Sequence, residues 1–207
     1  MLASMDHPAA PTAPARRTAG GPVLQDDVTE AITAAFFEEL ASAGYGKLSM
    51  DAIARRAGTG KAAIYRRWPS KQAMTVALVS DVAVTTIPAA DTGSLRGDIR
   101  HFLLEAQTAL QHPLARTIVP DLLAEVTRNT ELAKALQTTI QAPRRASAAR
   151  LLQRAIDRGE LPADTDIELG LDFLAGPLYW RQVVIRLPSA DTYLDRLTDK
   201  IIAALNA

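Results

Sequence analysis

Fourteen residues, GTGKAAIYRRWPSK from Gly58 to Lys71, gather the groups best suited to act on a partner: Lys61, Arg66, Arg67 and Lys71, with Tyr65 and Trp68 among them. Ammonium and guanidinium groups at this density do one chemistry well, which is to pair with phosphate oxygens and donate to polar edges. From Lys47 to Lys71 seven basic residues (Lys47, Arg55, Arg56, Lys61, Arg66, Arg67, Lys71) stand against one acid, Asp51, a local balance of 7 minus 1, or +6, in a chain of formal net charge +0. Charge gathered so sharply on a neutral protein is the electrostatic footprint of a phosphate-binding face. The plainer reading is a solvated helix face, and Arg55 and Arg56 fit it. The elements around the run decide between the two.

Other chemistries are poorly supplied. The chain has no Cys, which excludes disulfides, thiolate metal sites and a cysteine nucleophile. Of its three His, His101 and His112 have no partner spacing that suggests a metal site, and both read as structural or exposed. No Gly-rich phosphate loop, nucleophile elbow or paired His and carboxylate is present, so an all-α enzyme is a remote alternative, and neither cofactor nor metal is expected.

At 207 residues, 48% hydrophobic and 22% charged, the chain suits a soluble protein of one large domain or a small domain joined to a larger one. No apolar run reaches the length a bilayer requires. No apolar stretch follows Arg16 and Arg17, so no signal peptide is read and a cytoplasmic location without membrane contact is expected. Residues 1–25, rich in Pro, Ala and Gly, read as a disordered tail.

After the tail, helical periodicity dominates. Val28, Ile32, Phe36, Leu40 and Ala43 share one side of a helix over about 28–43, which Gly44 closes in the manner of a left-handed cap. Ser49 caps a short helix over 50–57, Gly58 ends it, Thr59 or Gly60 opens a third helix to Trp68, Pro69 stops that one, and Ser70 caps a fourth reaching Thr86. Pro88 and the loop AADTGS mark the domain boundary, giving units at 26–88 and 89–207. Further helices are expected at 94–111, 114–128, 130–158 with a break at Pro143, 164–187 with a kink at Gly176-Pro177, and 190–205. The fold is therefore all-α, a small helical unit followed by a larger bundle.

Within 50–68 the two short helices carry the constraints of a helix-turn-helix. Ala54 permits a close helix crossing, Gly58 supplies positive φ at the turn, and Ile53, Ala57 and Ile64 fill the corner with Trp68 as a core anchor. With Ile64 and Trp68 inward, Lys61, Ala62, Tyr65, Arg66 and Arg67 face outward as a surface for a DNA groove.

These residues resemble a known family. Ile32 through AAFFEELASAGY, LSMDAIARRAG and GKAAIYRRWPSK to Gln72 is similar to the amino-terminal DNA-binding domain of the TetR family of transcriptional regulators. The stretch RAIDRGELPADTDIELGLDFLAGPLYWRQV resembles the regulatory bundle of an actinobacterial-type branch. The resemblance implies that the third helix reads bases at its start, Lys61 and Ala62 foremost, with Lys61 donating to guanine and the methyl of Ala62 or Ala63 touching a thymine methyl. It implies that Ser49, Tyr65, Arg67, Ser70 and Lys71 hold phosphates and that Arg66 reaches either a base or a phosphate. Relatives often carry Ser or Thr where this chain has Gly60 and Ala63, so some hydroxyl contacts are lost here. It also implies a repressor bound to a double-stranded, palindromic operator as a homodimer and released by a small-molecule effector in the bundle. An activator or architectural DNA-binding protein without a ligand is the alternative.

Two helices supply the expected interface. Ile167, Leu171, Leu174 and Leu178 make one stripe of the helix over 164–187, while Leu169, Phe173, Trp180, Val184 and Leu187 make another, so partners are expected on both sides. With Leu194, Leu197, Ile201 and Leu205 on the last helix, this suits an isologous four-helix interface, assigned to Leu171, Leu174, Leu178, Leu194, Leu197 and Ile201. Phe102, Phe173, Tyr179, Trp180 and Arg181 are the candidates for an effector pocket, because aromatic rings give shape and polar tips give orientation.

Overall fold

A computed structural model describes residues 22–84 and 91–207, and those residues form ten α-helices with no strand among them. The helices are α1 (Pro22–Lys47), α2 (Met50–Arg56), α3 (Lys61–Tyr65), α4 (Lys71–Val84), α5 (Leu95–Gln111), α6 (Pro113–Val126), α7 (Thr130–Leu136), α8 (Ala142–Asp157), α9 (Ile167–Tyr179) and α10 (Asp191–Leu205). Side-chain caps set most starts. Ser49, Ser94, Asn129 and Asp166 each accept a backbone N–H from the first turn of the helix that follows. His112 does the same for α6, its Nδ1 accepting the Leu114 N–H at 3.3 Å.

Several boundaries differ from the sequence reading, each for a local reason. α1 begins at Pro22, inside the stretch expected to be a tail; the rest of that stretch, residues 1–21, lies outside the described residues, as does the boundary proline, Pro88. α3 stops at Tyr65 rather than Trp68 because Pro69 bars Trp68 from helical backbone, and the Arg67 N–H turns to the Ile64 carbonyl at 2.9 Å. Pro143 breaks nothing. A π-helical turn over Gln137–Gln141 joins α7 to α8 and shifts the hydrogen-bond register where the proline lacks its N–H. Likewise α9 runs through Pro177, and the irregularity comes as a second π turn, Trp180–Val184.

The apolar residues collect in two cores. The first joins Ile32, Phe36 and Leu40 of α1 with Ile53 of α2, Ile64 of α3 and Met74 of α4, and it also takes Ile118 and Leu122 from α6 and Leu132 and Leu136 from α7. The second is built from α5, α8, α9 and α10 around Leu103, Leu152, Leu174 and Leu194. The packing therefore crosses the boundary suggested by the connector near Pro88, because α6 and α7 complete the amino-terminal core.

The second core corrects the expected dimer contacts. Leu171, Leu174, Leu178, Leu194 and Ile201 are buried within this chain, so these five hold its own bundle together, and Leu197 packs half-buried against them. The helical-wheel stripe was real, but its partner is the chain's own α5, α8 and α10. The other stripe stays outside: Leu169, Trp180, Val184 and Leu187 are exposed.

Candidate nucleic-acid interface

The helix-turn-helix is built on a fully buried pair, Ile53 of α2 and Ile64 of α3, with Ala54 buried at the crossing and Trp68 half-buried against the same core. Gly58 adopts φ 63°. Its N–H donates to the Arg55 carbonyl at 3.2 Å, and the Thr59 N–H reaches the Ala54 carbonyl at 3.0 Å, the paired closure that a left-handed residue makes possible after a helix. This turn fixes the direction of α3 and leaves Lys61, Ala62, Tyr65 and Arg66 exposed.

The charges are less free than their count suggests. Arg56 donates to Glu38 and Glu39 of α1, each at 3.1 Å, so two acids outside the counted window neutralise it. Lys61 pairs with Asp51 of α2 at 2.6 Å. Arg67 turns back, its Nε donating to the Thr29 hydroxyl and its Nη1 to the Ala63 carbonyl, both at 3.0 Å. Lys71 donates to the Tyr45 carbonyl at 2.9 Å and lies over the Tyr45 ring, 4.4 Å from its centre, which ties the start of α4 to the end of α1. The Ser49 and Ser70 hydroxyl oxygens accept backbone N–H groups at the starts of α2 and α4. Each hydroxyl proton remains a donor for a phosphate.

Lys61 and Asp51 are both solvent-exposed, so the pair is worth at most about 1 kcal/mol. Asp51→Asn is accordingly expected to raise affinity for any duplex by up to about fivefold, by freeing Lys61 and removing a negative charge beside the phosphates. Titration of a duplex at two salt concentrations checks this. Unchanged affinity at both would place Lys61 away from DNA.

Sequence reasoning missed Asp121. This α6 carboxylate accepts the Tyr45 N–H at 2.7 Å, where α1 bends at Gly44 (φ 75°, ψ 164°). A Cβ at Gly44 would meet the Asp121 Oδ1 at 2.7 Å, so glycine is required by backbone conformation and by space alike. Burial, followed by the nearby Glu125, raises the Tyr45 hydroxyl above its ordinary pKa. The signal was available, since Asp121 lies three residues after Ile118 and immediately before Leu122, on the inward side of an otherwise apolar stripe.

The residues expected to form an effector pocket do not enclose one. Trp180 is 58% exposed, and Phe102 and Phe173 are half-buried against the second core. Burial raises the Tyr179 hydroxyl above its ordinary pKa. Arg181 lies over the Tyr193 ring at 4.2 Å and donates to the Pro188 carbonyl at 2.8 Å. A cleft of about 300 Å³ opens instead between α5, α6 and the π turn after α9, with Leu110, Ala115, Arg116, Thr117, Pro120, Gln182, Val183 and Arg186 in its walls. Among the described residues no cluster of His, Asp and Glu could hold a metal ion, and no helix is long and apolar enough to cross a membrane.

Comparison with known proteins agrees with this architecture. Residues 32–78 match the profile described as bacterial regulatory proteins, tetR family, and residues 89–201 match that of the tetracyclin repressor-like C-terminal domain. An uncharacterized HTH-type transcriptional regulator, YdeS of Bacillus subtilis, is 30% identical over 80% of this chain and 83% of its own. The DNA-binding transcriptional repressor TetR of Mycobacteroides abscessus is 30% identical over 84% of this chain and 92% of its own. The crystal structure of the TetR family transcription regulator SCO0332 superposes with a TM-score of 0.67 at 26% identity, covering 86% of this chain and 97% of that one. These relatives regulate transcription rather than catalyse reactions, and the chain belongs to the TetR family of DNA-binding transcriptional regulators.

Proposed function

We propose that the protein is a repressor that binds a palindromic operator as a homodimer and leaves it when a small molecule occupies the second half of the chain. The observation that carries the DNA-reading part is the solvent-facing start of α3, where Lys61 and Ala62 stand exposed directly after the Gly60 cap while Ile64 anchors the helix from below. Lys61, released from Asp51, offers donors to guanine O6 and N7, and the Ala62 methyl suits a thymine methyl. Tyr65, Arg66, Ser49 and Ser70 lie on the phosphates, and Arg67 and Lys71 contribute positive charge while bracing α1.

Two copies meet through the exposed apolar band of Leu169, Trp180, Val184, Ile185 and Leu187. A band of this kind on one helix and its continuation is what a second copy covers isologously. Such a dimer holds two α3 helices about 34 Å apart, one turn of DNA. The repressor sign follows the printed name of the Mycobacteroides abscessus relative. Regulation acts through α6, which lines the cleft with Pro120 and holds Tyr45 with the neighbouring Asp121. A ligand that moves α6 changes the seat of α1 and hence the spacing of the reading helices.

Fluorescence anisotropy at physiological salt tests the reading, comparing the duplex upstream of the protein's own gene with a scrambled duplex of equal length. A preference of about 1000-fold or more is expected. Equal, weak binding to both would remove the reading of a repressor that acts on its own upstream region.

A further inference from the structure

We infer that the cleft between α5, α6 and the π turn after α9 takes a small organic anion, a carboxylate with an apolar body, and that Arg116 and Arg186 hold its charge. This rests on the effector reading above and gives it a ligand class. A volume of about 300 Å³ suits a small molecule. Leu110 and Val183 offer apolar wall, while Arg116, Thr117, Gln182 and Arg186 bring polar groups, and no Asp or Glu lines the cleft.

Most other arginines in the second half of the chain have acids. Arg96 pairs with Asp199, Arg145 with Glu168 and Asp172, and Arg158 with Asp98 and Glu160. Neither the Arg116 nor the Arg186 side chain has an ion pair or hydrogen bond among the described residues, although both border one cleft. Two guanidinium groups on one cleft, with no acid in its lining, favour an anion there.

Backbone and amide groups point the same way. His112 takes the Leu114 N–H on its ring nitrogen and the Arg116 N–H on its carbonyl, at 3.0 Å, and Ala115 of the same first turn borders the cleft. That end of α6 is also the positive end of its dipole. The Gln182 Oε1 is buried without a partner, an acceptor for a ligand hydroxyl or N–H, while its amide nitrogen donates to the Ser189 hydroxyl. Arg186 is the one non-glycine described residue with positive φ, at 53°, a conformation that L residues rarely adopt, and it stands at the rim of the cleft.

The test uses the full-length protein with octanoate and benzoate, and with octanamide and benzamide as uncharged counterparts. Calorimetric titration is expected to show saturable binding of a carboxylate and at least tenfold weaker binding of its amide. The double variant Arg116→Gln, Arg186→Gln should lose tenfold or more for the carboxylate and leave the amide unchanged. Both residues are exposed, so the variant should keep the helical circular dichroism of the parent. The inference is overturned if the amides bind as tightly, if the double variant binds the carboxylates as the parent does, or if neither carboxylate saturates below about 10 mM. Anisotropy on an operator duplex separates the two readings. Arginine-dependent carboxylate binding that leaves DNA affinity unchanged keeps the anion site and removes the regulatory role. Release of DNA by the amides at equal concentration does the reverse.

Discussion

The double substitution Trp180→Asp, Val184→Asp is expected to leave a folded monomer that has lost most of its affinity for a palindromic operator. Trp180 is 58% and Val184 47% exposed, so neither change opens a cavity in the second core. In the dimer proposed above, these positions lie in the isologous interface, and four carboxylates would be pressed together away from water, which two copies relieve by separating. Loss of the second reading helix removes the gain from tethering, roughly 10² to 10⁴ in affinity for the full palindrome, with little change for a half-site. Sedimentation and anisotropy on full and half-sites measure both effects. A variant that still sediments as a dimer would move the interface to another face, and an unaltered half-site-to-palindrome ratio would sever dimerisation from reading.

The second large effect concerns stability. Asp98 of α5 has a fully buried side chain that accepts the Thr92 N–H at 2.6 Å, the Thr92 hydroxyl at 2.8 Å and Arg158, just past the end of α8, at 3.1 Å. Burial alone pushes its carboxyl up, but the hydrogen bonds from Thr92 and the hydrogen bond and charge of Arg158 outweigh this, and the net shift is downward. Asp98→Asn removes the charge from this knot, which ties the start of α5 to the end of α8, and is expected to cost about 2 to 4 kcal/mol. In melting temperature that is about 5 to 15 °C for a chain of this size.

The pH dependence has a definite sign. A carboxyl lowered by folding contributes its stability in full above its unfolded value, about 4, and loses it as pH falls through the lower folded value. The gap between parent and variant should hold from neutral pH to about 5 and narrow below 4. A gap that stays constant into acid would assign the loss to packing rather than charge.

How much the sequence disclosed depended on how far apart the interacting residues lie. The helix-turn-helix was legible because its rules are local: Ile53, Ala54, Gly58 and Ile64 constrain one another within a dozen positions. The starts at Ser49 and Ser94 were legible for the same reason, whereas α9 begins at Ile167 after the Asp166 cap, past the expected 164. The partners of the charges were not. Arg56 is held by Glu38 and Glu39 across a loop, and Tyr45 by Asp121 across 76 positions, which a window of charge counting does not reach. The apolar stripes of α9 were visible, yet nothing in the periodicity told which faced the chain's own core, because Leu174 inside and Trp180 outside are equally hydrophobic signals. The cleft was missed because Arg116 and Arg186, 70 positions apart, look like ordinary surface charges until the fold brings them to one opening.

The sharing of α6 and α7 between the two halves bears on how such proteins can be recombined. A fragment ending near residue 88 would carry the reading helices but leave open the surface that Ile118, Leu122, Leu132 and Leu136 fill in the whole chain, each worth about 1.5 to 3 kcal/mol of burial. A chimera spliced at that point inherits two surfaces cut for different mates. The workable splice lies after α7, so a regulator that acquires a new signal by exchange must bring along, or rebuild, the two helices on which its DNA-reading half rests.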